Sequence, residues 1–505
     1  MALFDVIIKC GKKISDWKFT RKIGLQGLLK YICDANNFAD AKKRMRDCKL
    51  IGLYYCQCIN EQKISRHTYK DLCLVKDLDI RLFKKISNKI FSCNIRSLRR
   101  KAKIKIAFLT YSSSIWPCDR LFHLFEQDEK FEPVIVVAGL VSGTPVTTRE
   151  MYETTLGYFT KRGFYTIGIY DDGGNYSSWI DAEDPDVIFF LTPYLDVILP
   201  ADFNIQHVHL NKLNVYIPYG FMLARGENNY NLLTPQLCWK YFCDTELYRQ
   251  LIGEHSVSGN NNVVYCGYTK MDIFYEGDQP DGEKIWKIPE YIANKHEVVK
   301  IIYAPHHSLR GPGDRAEGKF STFDENYRTI FEYAKSHPDT TSWIIRPHPH
   351  LKKETVNTGL FRNEDEYEDY LDKWDQLPNA KAVRDGPYFD IFKTSDGMIV
   401  DSVSFLAEYQ YVGKPLLLLT CPSQEFNEFG LKLKEILYSA SGSDIREISN
   451  FIDEILIKKN DYMYPVRVKF FKDYLNYIDH NGGKSASIYI YDYFKECFTD
   501  PGTFV

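Results

Sequence analysis

The residues best suited to chemistry lie in three short stretches, each directly after an apolar run. His306, His307 and Arg310 follow Lys300-Ile-Ile-Tyr-Ala304, and Arg346 and His348 close Thr341-Ser-Trp-Ile-Ile-Arg346 and its His-Pro continuation. Asp401, Ser402 and Ser404 follow Met398-Ile-Val400. Arginine and protonated histidine suit a diphosphate, and histidine also moves a proton near neutral pH. Serine hydroxyls at the start of a helix, with the free backbone N–H groups there, suit a phosphate oxygen. Glu408 stands about one helical turn beyond Ser404 and is placed to reach a ribose hydroxyl.

The elements that must position these residues are parallel strands. Met398 to Val400 reads as a buried strand, and Phe405, Leu406, Tyr409 and Val412 mark a helix that Gly413 ends before Pro415. Leu416 to Leu419 is the next strand, which completes one βαβ unit. In a parallel sheet the C-terminal strand ends share one edge, where ligands bind, so the three polar stretches converge there. An earlier set of strands opens with Ile104 to Leu109. The polar loop Thr110–Asp119 and a helix from Arg120 to Glu126 follow it. Glu132 to Ala138, Tyr165 to Ile169, Val187 to Leu191 and Leu213 to Ile217 continue the set. The first loop has no G-x-G-x-x-G, which argues against a dinucleotide cofactor. A second set begins near residue 240 with Trp239 to Asp244 and Val263 to Cys266. The expected organisation is α/β. A basic helical region spans 1–100, one Rossmann-like domain 101–235, another 236–440, and closing helices 441–505.

Charge is distributed unevenly. The 505 residues carry a net charge of −3, yet residues 1–105 hold 26 Lys and Arg against 9 Asp and Glu. That leaves 38 basic and 58 acidic residues for the rest. The basic head reads as helical, with apolar and aromatic residues among its charges. Such a segment either lies on an anionic membrane surface or packs as a solvated hairpin on its own enzyme. No nucleic-acid recognition motif accompanies the charge, so nucleic acid is not an expected partner. No apolar run approaches a membrane span, and Met-Ala-Leu-Phe-Asp5 is not a signal peptide. The 13 cysteines are irregularly spaced and form no paired zinc pattern, which predicts reduced thiols and no zinc site among them.

Across roughly residues 210 to 425 the motifs resemble the CDP-glycerol glycerophosphotransferase family, which includes teichoic acid polymerases and related capsule enzymes. Tyr303-Ala304-Pro305 resembles that family's Tyr-Ala-Pro strand end, and Gly267-Tyr268-Thr269-Lys270-Met271-Asp272 its Gly-Tyr-Pro-Arg-x-Asp turn. His348-Pro349 resembles its His-Pro motif. Val400-Asp401-Ser402-Val403-Ser404 with Gly413-Lys414-Pro415 resembles its Thr-Asp-Tyr-Ser-Ser element. The resemblance implies a GT-B architecture, two Rossmann-like domains facing a cleft. It further implies metal-independent chemistry, a CDP-linked donor in the second domain, and a basic head on the inner membrane face.

The implied activity is transfer of a phospho-alcohol group such as glycerol phosphate to a glycan or polyol. A glycosyltransferase of the same fold and a non-catalytic assembly subunit are the other readings. The family's Trp-His-Gly motif, whose His resembles a general base, here reads Pro218-Tyr219-Gly220. Either His306 or His307 then supplies the base, or Tyr219 shapes the pocket and an acidic residue takes the proton.

Overall fold

The structure is a computed structural model. It describes residues 91–139, 145–170, 183–194, 212–277, 280–292, 297–309, 319–384 and 386–499, with Lys84 and Asn88. Most of the basic head, Arg310 and most of the Gly311–Ser321 loop lie outside the described residues.

Two parallel sheets carry the fold. The first contains β1 (Ile104–Thr110), β2 (Phe131–Val137), β3 (Thr166–Gly168), β4 (Val187–Phe190), β5 (Leu213–Tyr216), β6 (Lys240–Cys243) and β7 (Val263–Tyr265). Their order in space is β3-β2-β1-β4-β5-β6-β7. The second contains β8 (Val299–Ala304), β9 (Thr341–Ile345), β10 (Ala380–Ala382), β11 (Gly397–Val400), β12 (Leu416–Thr420) and β13 (Tyr438–Ser441). Its order is β10-β9-β8-β11-β12-β13. Strands covered by helices on both faces are apolar throughout rather than alternating. The fully buried runs of β4 and β11 are of this kind.

The boundary expected at residue 235 is not where the sheets divide. β6 pairs with β5 and β7 with β6, so both belong to the first sheet, and the second begins at β8. A parallel strand reads the same in either sheet; only its crossover decides which edge it joins. β10 and β13 are short edge strands, Ala-Lys-Ala and Tyr-Ser-Ala-Ser, with too little apolar pattern to be read as strands.

The chain returns to the first domain at its end. The helix Ala486–Thr499 seats Phe494 against Phe125, Phe189 and Trp239, with ring centroids 5.3, 5.4 and 5.8 Å apart. Asp272 organises this return from within the Gly267–Asp272 turn. Its buried carboxylate accepts the Tyr477 hydroxyl at 2.7 Å and the backbone N–H groups of Ala486 and Ser487 at 2.9 Å. An acidic group at the first turn of a helix answers both its free N–H groups and its dipole.

Candidate functional site

The exits of β8, β9 and β11 meet, as the sequence predicts, and backbone bonds hold them in register. Arg346 N–H donates to the Tyr303 carbonyl at 2.8 Å and His348 N–H to the Pro305 carbonyl at 3.0 Å. Asp401 ties the third exit to the first. Its carboxylate accepts the His306 N–H and the Thr322 N–H, each at 2.5 Å, and the Thr322 hydroxyl at 2.9 Å.

Asp401 is therefore a brace, which corrects its expected place as a donor contact: it is 1% exposed and both its oxygens accept from the protein. Burial pushes its pKa up to about 6 against the pull of those donors. Asp401→Asn turns an NH2 toward an N–H donor. It is expected to lower the unfolding free energy by about 2–4 kcal/mol in a denaturant titration. An unchanged midpoint would contradict the bracing role.

The imidazoles form one cluster. Ring centroids are 4.2 Å apart for His306 and His307, 4.1 Å for His307 and His348, and 5.3 Å for His306 and His348. His350 joins at 5.4 Å from His348. Neighbouring donors fix the tautomer of two of the rings. His348 Nδ1 accepts the His350 N–H at 3.1 Å, and His306 Nδ1 accepts the Ser308 N–H at 3.3 Å beside the Ser308 hydroxyl at 2.8 Å. Both neutral rings therefore carry their proton on Nε2 and present it as a donor. His307 Nδ1 is buried without a partner, so no neighbour fixes that ring's tautomer.

Ligand-capable atoms of His306, His307 and His348 lie within 4.8 Å of one another. A divalent ion bound through Nε2 would require His348 to give up its present tautomer, since a ligating nitrogen needs a free lone pair. The donor set as it stands fits a phosphate oxygen better than a cation.

Burial holds these rings neutral. It pushes His306 down to about 3 and His307 to about 4, and His348 further still, with the neighbouring imidazoles adding to each shift. An unfolded histidine titrates near 6.5. Between about pH 4 and 6.5 the unfolded chain therefore binds protons that the folded one refuses, and stability falls as pH falls through that window. The expected slope is at most about 1.4 kcal/mol per pH unit for each such histidine. Melting temperature should drop from pH 7 to 5, and more shallowly in His307→Gln; equal slopes would contradict the assignment.

Arg346 does not project freely into the cluster. Its guanidinium donates to the Val383 carbonyl at 3.3 Å and the Gly386 carbonyl at 2.5 Å, and lies 5.6 Å over the Tyr388 ring. Glu408 is 2% exposed and its carboxylate accepts the Tyr388 hydroxyl. The ribose contact expected of Glu408 is thus replaced by a buried network. Burial raises the Glu408 pKa, the Lys270 charge opposes this, and Lys270 lies 5.0 Å over the Tyr388 ring. Burial in turn lowers the Lys270 pKa. Tyr388 escaped the sequence reading because no strand end or motif marks it. Lys270 stood in a named motif, but its partner lies 138 residues away in the other domain.

Ser402 takes the N-cap position of the helix Val403–Glu408 without a capping hydrogen bond. Ser404 faces the first domain: a Cβ placed on Gly220 would stand 3.0 Å from its hydroxyl. The Pro218-Tyr219-Gly220 loop, half-buried at Tyr219, is therefore the opposite wall of the cleft. Burial raises the Tyr219 phenol, with Tyr194 and Tyr111 adding to the shift, so at neutral pH it is a hydrogen-bonding hydroxyl.

No protein-family model and no curated protein matches the sequence. Among solved structures, two variants of the wall teichoic acid polymerase TagF align with a TM-score of 0.50 at 12% identity. One alignment covers 85% of this chain and 96% of that chain, the other 87% and 98%. The fold is GT-B. At that identity the likeness is one of fold alone: two parallel-sheet, Rossmann-like domains. The UDP-GlcNAc 2-epimerase of Neisseria meningitidis, bound to UDP-GlcNAc, aligns at a TM-score of 0.47 with 14% identity, over 78% of this chain and 100% of that chain. The GT-B fold agrees with the architecture that the motifs imply. Among the described residues no helix is long and apolar enough to cross a membrane, and the described cysteines are free and mostly buried.

Proposed function

We propose that this chain is a transferase of cell-surface polymer or capsule assembly. It moves a phospho-alcohol group such as glycerol phosphate from a CDP-linked donor to a hydroxyl of a glycan or polyol. The observation that supports this is the imidazole cluster at the second sheet's C-terminal edge, in a cleft whose far wall is Tyr219 and Gly220. In this reading the acceptor oxygen attacks the donor's β-phosphorus in line, the bond from that phosphorus to the bridging oxygen breaks, and CMP leaves.

His348 and His306 donate from Nε2 to the phosphoryl oxygens as charge moves onto them. Preorganised donors in a water-poor site give the largest return in such a transition state. His307 takes the acceptor's proton. It is neutral, and the bound donor's negative charge raises its basicity toward the useful range. Ser402 and Ser404 hold the diphosphate, and Arg346, oriented by its two carbonyls, adds positive charge beside it. Tyr219 borders the acceptor. No metal is part of this reading. The basic head, with 26 Lys and Arg in residues 1–105, brings the enzyme to the anionic inner face of the plasma membrane.

Incubation with CDP-glycerol and a panel of polyol and glycan acceptors tests the reaction type. Phosphorus NMR should show CMP and a new phosphodiester. A glycosidic product from a nucleotide sugar would replace this reading by a glycosyltransferase, and no turnover of any donor would leave the non-catalytic subunit.

A further inference from the structure

We propose that Lys270 is a further donor-binding residue: together with Arg346 it grips the phosphate that leaves with the nucleoside, and it does so from the first domain. This rests on the transferase reading above. Lys270 follows β7 in the Gly267–Asp272 turn, and it is the one residue of that turn that is not buried. The turn is fixed on both sides of it. Thr269 and Met271 are buried, and Asp272 is held by the Tyr477 hydroxyl and two backbone N–H groups. A rigid turn thus carries Lys270 to the second domain, where its ammonium lies 5.0 Å over the Tyr388 ring.

The ammonium can donate three hydrogen bonds. Among the described residues it makes none, and it forms no ion pair. Two other deeply set lysines are satisfied within the chain. Lys84 donates to the Asn262 side chain at 2.7 Å and the Ser258 carbonyl at 3.2 Å, and Lys414 to the Lys393 carbonyl at 2.6 Å. Lys270 instead meets a second cation, since the Arg346 guanidinium lies 5.6 Å over the same Tyr388 ring. Burial lowers the Lys270 pKa, the Glu408 charge opposes that shift, and the Arg346 charge adds to it. The Glu408 carboxylate accepts the Tyr388 hydroxyl and forms no ion pair with Lys270. Two cations beside one ring leave positive charge that an incoming anion relieves.

The chemistry of the transfer says which anion. The imidazoles of His306, His307 and His348 are held neutral by burial, so they offer hydrogen bonds to a diphosphate but no charge. When the bond from the β-phosphorus to the bridging oxygen breaks, its electron pair stays on that oxygen. CMP therefore leaves with one more negative charge on its phosphate. Lys270 and Arg346 answer that charge as it forms, one from each domain.

Equilibrium titration of the full chain with pyrophosphate, CDP and cytidine tests this, with Lys270→Met and Lys270→Arg beside the unaltered chain. Lys270→Met should weaken pyrophosphate and CDP about tenfold or more and leave cytidine unchanged. Lys270→Arg should recover most of that affinity, and added salt should narrow the difference. The ligand-free melting temperature of Lys270→Met should equal or exceed that of the unaltered chain, because an unpaired ammonium is removed. A lysine that only packed the domains together would lower it. If Lys270→Met does not fold, Lys270→Gln carries the same expectation. Absence of pyrophosphate binding, equal binding by the variant, an equal loss for cytidine, no recovery in Lys270→Arg, or a lowered melting temperature overturns the inference. Pyrophosphate carries neither base nor alcohol, so it reads the grip on phosphate whatever the donor is. Lys270-dependent binding of pyrophosphate without any binding of CDP would support the grip and count against the transferase reading, so the two failures are separable.

Discussion

His348→Ala is expected to lower kcat for transfer by about 10²–10⁴-fold, and His307→Gln by a comparable factor, with donor affinity falling far less. The reason differs for the two rings. His348 has its Nδ1 engaged by the His350 N–H, so it can only offer Nε2–H to the phosphoryl group. Removing it withdraws a fixed donor where charge builds. His307 Nδ1 has no partner to fix the tautomer, so, unlike His306 and His348, this ring is free to present a lone pair on either nitrogen. Glutamine keeps the size but cannot take a proton.

The pH profile separates the two: His307→Gln removes the ionisation on the acidic limb, whereas His348→Ala keeps the limb and lowers the plateau. Ser404→Ala, across from Gly220, should cost less, about tenfold, because one hydroxyl among several donors is lost. Full transfer rates in both His348→Ala and Ser404→Ala would remove the donor site from this place in the fold.

Gly267→Ala should destabilise the chain by about 4 kcal/mol or more, or prevent folding altogether. Gly267 has φ +90°, and a Cβ there would stand 2.0 Å from the Tyr477 ring. Tyr477 is buried and cannot retreat without releasing its hydroxyl from Asp272, which also holds the start of the last helix. Backbone strain, overpacking and a broken buried hydrogen bond therefore act together. Gly259→Ala is the control: φ is +64° but no atom lies within 4 Å of the added Cβ, so only the strain remains, about 1 kcal/mol. Thermal melts of the two variants check this. Equal shifts would show that the Tyr477 contact does not hold the crossover.

That contrast also shows what a sequence can disclose. The apolar runs from Ile104 to Leu419 were legible because strands buried on both faces have no other way to be written. The meeting of the β8, β9 and β11 exits followed from the common edge of parallel strands. What a strand end does not state is direction. Asp401 looks like a phosphate contact by type and place, yet it points back to brace His306 and Thr322. Glu408 lies one turn along its helix, as the spacing requires, but on the face that meets Tyr388 and Lys270. The Gly267–Asp272 turn was recognisable as a motif, and its purpose became clear only with the last helix seated on Asp272. The split between β7 and β8 was misplaced because strand order depends on crossovers that run through tertiary packing.

Equilibrium titration of the full chain with CDP-glycerol, CDP and UDP, without added metal, tests the central claim most directly. The account predicts binding of the CDP species in preference to UDP, weakened severalfold in Ser404→Ala. Preference for UDP, or the absence of any nucleotide binding, would contradict it.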